Sequence, residues 1–214
     1  MYKIIIVGAG GFAREVYSWA NDAFSKENYK IKGFLSYNQK DLDGFNVKVG
    51  VLGNDDNYKI DKNDLFIIAI GNIDIKKRAV KKLKKRGAKF ISLIHPTSLI
   101  NPTATIGEGV VICPYCLISD NVQVDDFVMM NTYASCGHDV KVGKYSILSP
   151  YVALNGFVKL ENEVFVGTHA TVIAYKKVGF KSKIGANSVV IKDVLANRTV
   201  IGVPGKAIQM VWEE

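Results

Sequence analysis

The chain has 214 residues, 48% of them hydrophobic and 22% charged. That is enough apolar material for one large domain or two small ones, which argues against wholesale disorder. No apolar run reaches the roughly 18–20 residues that cross a membrane. The opening KIIIV followed by glycines lacks the basic start and small-residue cleavage site of a secretory signal, so the expectation is a soluble, cytoplasmic protein without a membrane span. The formal net charge of +8 is concentrated: eight basic and no acidic residues lie between Lys76 and Arg86, and the rest of the chain balances. Such a run can meet phosphate or an anionic membrane surface. Its plain reading is a solvated helix face, and no nucleic-acid motif accompanies it.

The first 95 residues alternate strands and helices. Lys3–Val7 reads as a short buried strand, Gly8-Ala9-Gly10-Gly11 as a turn, and Phe12–Phe24 as a helix. Tyr29–Tyr37 and Leu65–Ile70 follow as strands, the latter ending at Gly71-Asn72. Asp74 is expected to cap a helix that runs to Arg86 and stops at Gly87, before a last strand over Phe90–Ile94. This is βαβ grammar with a parallel sheet.

From Ile100 the grammar changes. Every sixth residue through Ile106, Ile112, Ile118, Val124, Met130, Cys136, Val142, Leu148, Leu154, Leu160, Val166, Val172, Val178, Ile184 and Val190 is apolar. The fourth residue after each is mostly small or valine, as at Ala104, Val110, Cys116, Val122, Val128, Ala134 and Val140. A six-residue period is neither helical nor a simple alternating strand; it is the hexapeptide signature of a parallel β-helix. Three hexads close a coil of 18 residues, so positions 18 apart stack in columns about 4.8 Å apart.

The three cysteines are an odd number in a chain of this length, against a secreted disulfide scaffold. Cys113, Cys116, Cys136 and His138 have the residue types of a zinc site. The hexad register points Cys136 and Cys116 inward and Cys113 and His138 outward, so they do not converge; structural cysteine and no metal is the reading. His138 sits in an outer column that reads Asp120, His138, Gly156, Ala174 and Lys192. His95 and His169 have no visible partner and read as structural or surface residues.

The glycine turn Gly8-x-Gly10-x-x-Ala13, after a strand and before a helix, fits a dinucleotide fingerprint, and glycines at a helix N-terminus favour phosphate of any origin. NAD use wants an acid at the end of the second strand, where this chain offers Ser36-Tyr37-Asn38. The turn by itself leaves an NAD-linked oxidoreductase and a vestigial nucleotide site open as readings.

At these residues the chain resembles the NeuD/PglD-like family of sugar acyltransferases. The motifs are Gly8-Ala9-Gly10-Gly11-Phe12-Ala13, Ile70-Gly71-Asn72, His95-Pro96 with Asn101-Pro102, Asn131-Thr132 with His138-Asp139, and VIGVPGK over Val200–Lys206. The resemblance covers essentially the whole chain. It implies a Rossmann-like α/β half-domain over residues 1–95 that binds a nucleotide-sugar, and an all-β left-handed parallel β-helix with a C-terminal tail over 96–214. It further implies acetyl-CoA as donor, a nucleotide-linked 4-amino-sugar as acceptor and a homotrimer with sites between subunits. His138 matches the general base, Asp139 the acid that orients it, and Gly156 a residue whose N–H meets the thioester carbonyl. Gly8, Gly10, Gly11, Ser36, Tyr37, Asn38, Gly71, Asn72 and Asn131 are the expected acceptor-binding residues. Gly156, Ala174, Ala186, Lys192 and Lys206 are those expected along the CoA arm and its phosphates. Direct transfer needs no nucleophilic side chain, since a neutral histidine can take the proton an amine or hydroxyl loses. O-acetylation of a sialic-acid-type sugar is the alternative within this class, and a non-catalytic β-helix binding module the alternative outside it.

Overall fold

The computed structural model describes residues 1–24 and 28–208, and the last six residues of the expected C-terminal tail lie outside the described residues. The chain divides into two compact units, Met1–Pro96 and Thr97–Glu214.

In the first unit, strands β1 (Tyr2–Val7), β2 (Tyr29–Leu35), β3 (Val51–Gly53), β4 (Asp64–Ile68) and β5 (Lys89–Phe90) form one parallel sheet in the order β3-β2-β1-β4-β5. Helix α1 (Gly11–Ala23) follows β1, and α2 (Ile73–Lys85) follows β4. Ile4, Ile5, Ile6, Phe34, Phe66 and Ile67 are wholly buried, as strands covered on both faces must be. Helix α1 buries Ala13, Val16 and Ala20, one stripe at helical spacing. Gly8 at φ +104° makes the turn out of β1, and a Cβ there would stand 2.9 Å from the Ala69 carbonyl oxygen.

Three expectations in this unit are corrected. The cap of α2 is Asn72, whose side chain accepts the Ile75 N–H at 3.0 Å, while Asp74 lies in the first turn. Asp74 is too far along to reach back, but its charge still favours the positive helix end. The expected strand over Phe90–Ile94 is two short strands, Lys89–Phe90 and Leu93–Ile94. The basic run is a solvated face at Arg78, Lys81, Lys84 and Lys85, but Lys76 is wholly buried on the stripe it shares with Ala79, Val80 and Leu83. Burial lowers the Lys76 ammonium to a pKa of about 7.

The second unit is a parallel solenoid of three sheets. One stacks Leu99–Ile100, Leu117–Ile118, Ser135–Cys136, Ala153–Leu154, Thr171–Val172 and Val189–Val190. A second stacks Thr105–Ile106, Gln123–Val124, Lys141–Val142, Lys159–Leu160 and Lys177–Val178. The third includes Val111–Ile112, Met129–Met130, Ile147–Leu148, Phe165–Val166, Lys183–Ile184 and Thr199–Ile201. Partners are 18 residues apart, as in Cys136 with Leu154 and Val142 with Leu160. The sixth-residue column from Ile112 to Val190 is buried at 3% exposure or less, and Ile100 and Ile106 pack against the same core. Each fully buried aliphatic side chain stabilises the prism by about 1.5–3 kcal/mol. The 18-residue spacing ends after Val190: Val178 bridges Val194 and Ile184 pairs Val200, both 16 apart. The chain then closes with Lys206–Ile208 antiparallel to Thr199–Ile201.

The corners carry a feature the period does not announce. Fourteen non-glycine residues between Tyr115 and Asn197 have φ of +55° to +63°. An L-residue in that region costs roughly 1–2 kcal/mol. Stacked rings on successive coils offset part of this, about 0.5–1.5 kcal/mol per pair. Tyr115, Tyr133, Tyr151 and His169 form one ladder with centroids 5.0, 4.8 and 4.6 Å apart, and Phe157 lies 4.7 Å from Tyr175 in another. His169 is therefore a stacking residue.

Cys116 and Cys136 lie in the prism as expected, but Cys113, expected to face outward, is also wholly buried. Its position is outside the prism, and the Ser98 hydroxyl donates to its backbone carbonyl at 2.8 Å. Burial pushes the Cys116 thiol up to about 12 and raises that of Cys136 as well, so neither is a thiolate near neutrality. Among the described residues no His, Cys, Asp and Glu side chains are grouped to hold a metal ion. No described helix is long and apolar enough to cross a membrane.

Candidate active site

The corner between Ser135–Cys136 and Lys141–Val142 carries Gly137, His138 and Asp139. Inward Cys136 and Val140 pin the corner on either side, so the His138 side chain projects from the prism and is 58% exposed. Asp139 holds the left-handed conformation, φ +61°, and its N–H donates to the Asp120 carbonyl at 2.9 Å. That turn brings its carboxylate back to the imidazole, with Nδ1 2.9 Å from Asp139 Oδ2. A neutral imidazole donating Nδ1–H to Asp139 carries its lone pair on Nε2.

Gly156 lies one coil further along and directly under the ring. A Cβ there would stand 2.7 Å from both Nε2 and Cε1 of His138. Only a glycine leaves room for the imidazole in this position. The Gly156 carbonyl accepts from Tyr175 N–H, while its own N–H has no hydrogen-bond acceptor among the described residues. Phe157 meets the His138 ring edge to face at 5.1 Å and 86°, and its N–H donates to the His138 carbonyl at 3.0 Å. Gly137 and Phe157 belong to this corner and were not among the expected residues. A Cβ on Gly137 would crowd the Gly156 nitrogen at 3.0 Å. The sequence signal was available: positions 137 and 157 adjoin 138 and 156 in stacked coils.

Ala174 continues the same edge, partly exposed, and Lys192 ends it, exposed, in the corner shortened by two residues. Asn131 and Ala186 lie on a different edge, the one that also carries the ladder of Tyr133, Tyr151 and His169. Asn131 uses its side-chain oxygen to accept from Thr132 N–H at 2.7 Å. Lys206 is exposed on the closing strand. The structure thus brings His138, Asp139 and Gly156 together and leaves Asn131, Ala186 and Lys206 away from them within this subunit.

In the first unit a cavity of about 210 Å³ is lined by Val7, Gly8, Leu35, Ser36, Tyr37, Asn54, Asp55, Ile70, Ile75 and Ala79. It opens at the carboxyl ends of β1, β2 and β3, beside the point where strand order reverses, the usual ligand crevice of an open parallel sheet. Of the expected residues, Gly8, Ser36 and Tyr37 line it; Gly10, Gly11, Asn38, Gly71 and Asn72 do not. Gly10 and Gly11 form the start of α1, where Gly10 is an extended N-cap with no side-chain cap. The N–H groups of the first turn remain for a ligand. Asn72 is committed to capping α2. Ser36 Oγ donates to Asp41, and Asn38 Nδ2 donates to the same carboxylate at 2.8 Å. An acid therefore does stand behind the end of β2, five residues later than a strand-end motif would put it. Asn54 and Asp55 were missed because β3 is three residues long and has no alternating pattern to mark it.

The Tyr37 hydroxyl donates to Asp55 and lies 2.7 Å from Asp56 Oδ2, and Lys82 Nζ reaches Tyr37 at 3.0 Å and Asp56 at 2.8 Å. The bond to Asp55 raises the phenol pKa of Tyr37, and Lys82 holds Asp56 below the usual carboxylate range.

Residues 3–83 match the model of the PglD N-terminal domain. The acetyltransferase domain of PglB from Neisseria gonorrhoeae FA1090 superposes with a TM-score of 0.88 at 27% identity, over 97% of this chain and 100% of that one. The same domain in complex with acetyl coenzyme A gives 0.86 at 28%, over 96% and 98%. PerB from Caulobacter crescentus, solved with CoA and GDP-perosamine, gives 0.86 at 25%, over 97% and 98%. By sequence, GDP-perosamine N-acetyltransferase of Escherichia coli O157:H7 is 28% identical over 107 residues, 50% of this chain and 48% of that protein. The chain thus spans about half the length of this curated relative in that match. With residues 3–83 matching the PglD N-terminal domain and the fold of the PglB acetyltransferase domain followed along nearly its whole length, the chain is similar to the NeuD/PglD-like hexapeptide-repeat acyltransferases.

Proposed function

We propose that the protein is an acetyl-CoA-dependent N-acetyltransferase acting on a nucleotide-linked 4-amino-sugar, by direct transfer with His138 as general base. The observation that carries this is the His138 ring, tied at Nδ1 to Asp139 and seated with Nε2 over the Gly156 backbone. An amine attacking the thioester carbonyl forms the C–N bond and loses a proton to Nε2. Asp139 stabilises the imidazolium that results. The carbonyl oxygen, negative in the tetrahedral intermediate, is met by the Gly156 N–H, and the C–S bond breaks to release CoA. The cysteines are buried, and burial raises the thiol pKa of Cys116 and Cys136, so they offer no covalent alternative. The names of the relatives support the donor and acceptor classes. Incubating the purified protein with acetyl-CoA and UDP-, dTDP- and GDP-linked 4-amino-sugars, and following thiol release and product mass, tests the reading. Absence of thiol release with every acceptor overturns it.

The His138 edge offers few walls of its own, and Asn131, Ala186 and Lys206 lie elsewhere on the subunit. We therefore assign the working form as a homotrimer in which neighbouring subunits complete each site, with Ala174, Ala186, Lys192 and Lys206 along the CoA arm. Light scattering should give three times the chain mass at micromolar concentration; a fully active monomer would sink the assignment.

The first unit is assigned to the nucleotide, with the diphosphate at the start of α1. Gly10 is the residue to change, because a Cβ there meets nothing within 4 Å and the backbone is extended, so the fold tolerates a side chain. Gly10→Val should block approach of the diphosphate and raise KM for the nucleotide-sugar roughly tenfold or more, a loss of about 1.4 kcal/mol, leaving KM for acetyl-CoA unchanged. Equal weakening of both substrates would contradict this division of labour.

A further inference from the structure

We propose that the front cavity selects guanine, so that the acceptor is a GDP-linked sugar. This rests on the nucleotide-sugar reading above and adds the identity of the base. The cavity has apolar walls from Val7, Leu35, Ile70, Ile75 and Ala79. Its selectivity lies in the hydrogen-bonding capacity its polar side chains have left. The hydroxyl proton of Ser36 is used on Asp41, and that of Tyr37 on Asp55. Asn54 Oδ1 accepts from the N–H groups of Asp56 at 2.9 Å and Asn57 at 3.1 Å, so what Asn54 has to offer a ligand is its amide NH₂. Asp55 is the buried acceptor. Its side chain is 9% exposed, one oxygen takes the Tyr37 hydroxyl, and Lys82 Nζ stands 3.8 Å from the other. A carboxylate has about four lone-pair sites, so acceptor capacity remains.

Adjacent residues that line the cavity thus hold the spare capacity, Asp55 as a carboxylate acceptor and Asn54 as an amide donor. Guanine has the matching edge. Its N1–H and N2–H₂ are two neighbouring donors for one carboxylate, and its O6 beside them is an acceptor for an amide N–H. Uracil and thymine present one N–H between two carbonyl oxygens, so a bidentate carboxylate faces like charge on either side. Adenine and cytosine each pair an amino group with a ring-nitrogen acceptor, which again leaves one carboxylate oxygen against a lone pair. Of the common bases only guanine puts two donors side by side.

The test is equilibrium binding of the full chain to GDP, UDP, dTDP, ADP and xanthosine diphosphate by calorimetry, without acetyl-CoA. GDP is expected to bind at least tenfold more tightly than the other four, from one bidentate pair worth about 1–3 kcal/mol. Asp55→Asn keeps an oxygen for the Tyr37 hydroxyl but replaces an acceptor with a donor. It should weaken GDP roughly 10- to 100-fold and strengthen xanthosine diphosphate, whose C2 carbonyl now meets the new amide. A melting curve for the variant shows that the cavity persists. UDP or dTDP binding as tightly as GDP, or an Asp55→Asn protein with an unchanged ratio of GDP to xanthosine diphosphate affinity, overturns the proposal and leaves the nucleotide-sugar reading standing. Absence of binding by any of the five overturns both.

Discussion

His138→Ala should lower kcat by roughly 10²–10⁴-fold, the usual worth of a positioned base, with little change in KM for either substrate. The protein should stay folded. The side chain is more than half exposed and contributes nothing to the prism, so the loss is its contact with Phe157. An edge-to-face pair is worth about 0.5–1.5 kcal/mol, which in a chain of this size moves Tm by only a few degrees. Asp139 needs a more careful substitution. It sits at φ +61°, where alanine would add backbone strain of roughly 1–2 kcal/mol, whereas asparagine enters that region readily. Asp139→Asn also leaves an oxygen to accept Nδ1–H. It should therefore cost less than His138→Ala, losing the stabilisation of the imidazolium but keeping the ring orientation. A folded His138→Ala protein with at least half the wild-type kcat would remove His138 from the mechanism.

The solenoid was legible because its sequence constraint is periodic and local. Each inward residue must be apolar and each corner must turn, so the register from Ile100 to Val190 could be read without neighbours. The same register set His138 above Gly156, since residues 18 apart pair in successive coils. What it could not show was depth and company. Cys113 is outward by register yet wholly buried, and burial depends on tertiary placement. The corner conformation was hidden because tyrosine and phenylalanine avoid positive φ in most settings. Gly109, Asn121 and Asn187 stand in the same frame and were the available clue. The front unit was harder. Its strands and helices followed from apolar runs and glycine turns, but its cavity depends on Asn54 and Asp55 after a three-residue strand. The side chains of Ser36, Asn38 and Asn72, read as ligand groups, are engaged with Asp41 and the first turn of α2 instead. Short polar residues bond locally as readily as they bind ligands, and sequence does not separate the two.

Gly156→Ala separates the two things that Gly156 does. Alanine keeps the backbone N–H, so a role confined to oxyanion binding predicts nearly wild-type turnover. The structure predicts otherwise, because the new Cβ would stand 2.7 Å from Nε2 and Cε1 and 3.3 Å from Cδ2 of His138. All three nearest atoms belong to one exposed side chain, so the chain fold is spared and the imidazole is what moves. It must shift by about 1 Å to restore van der Waals separation, and a displacement of that size can cost on the order of 10²-fold in rate. Thus kcat should fall about 10²-fold with an unchanged melting temperature. The decisive comparison is the double variant. Once His138 is alanine there is no ring to displace, so adding Gly156→Ala should cost little more, and the two losses should be far from additive. Full additivity would mean that Gly156 acts apart from His138, and wild-type turnover in Gly156→Ala would mean that the ring does not work from where it sits over this glycine.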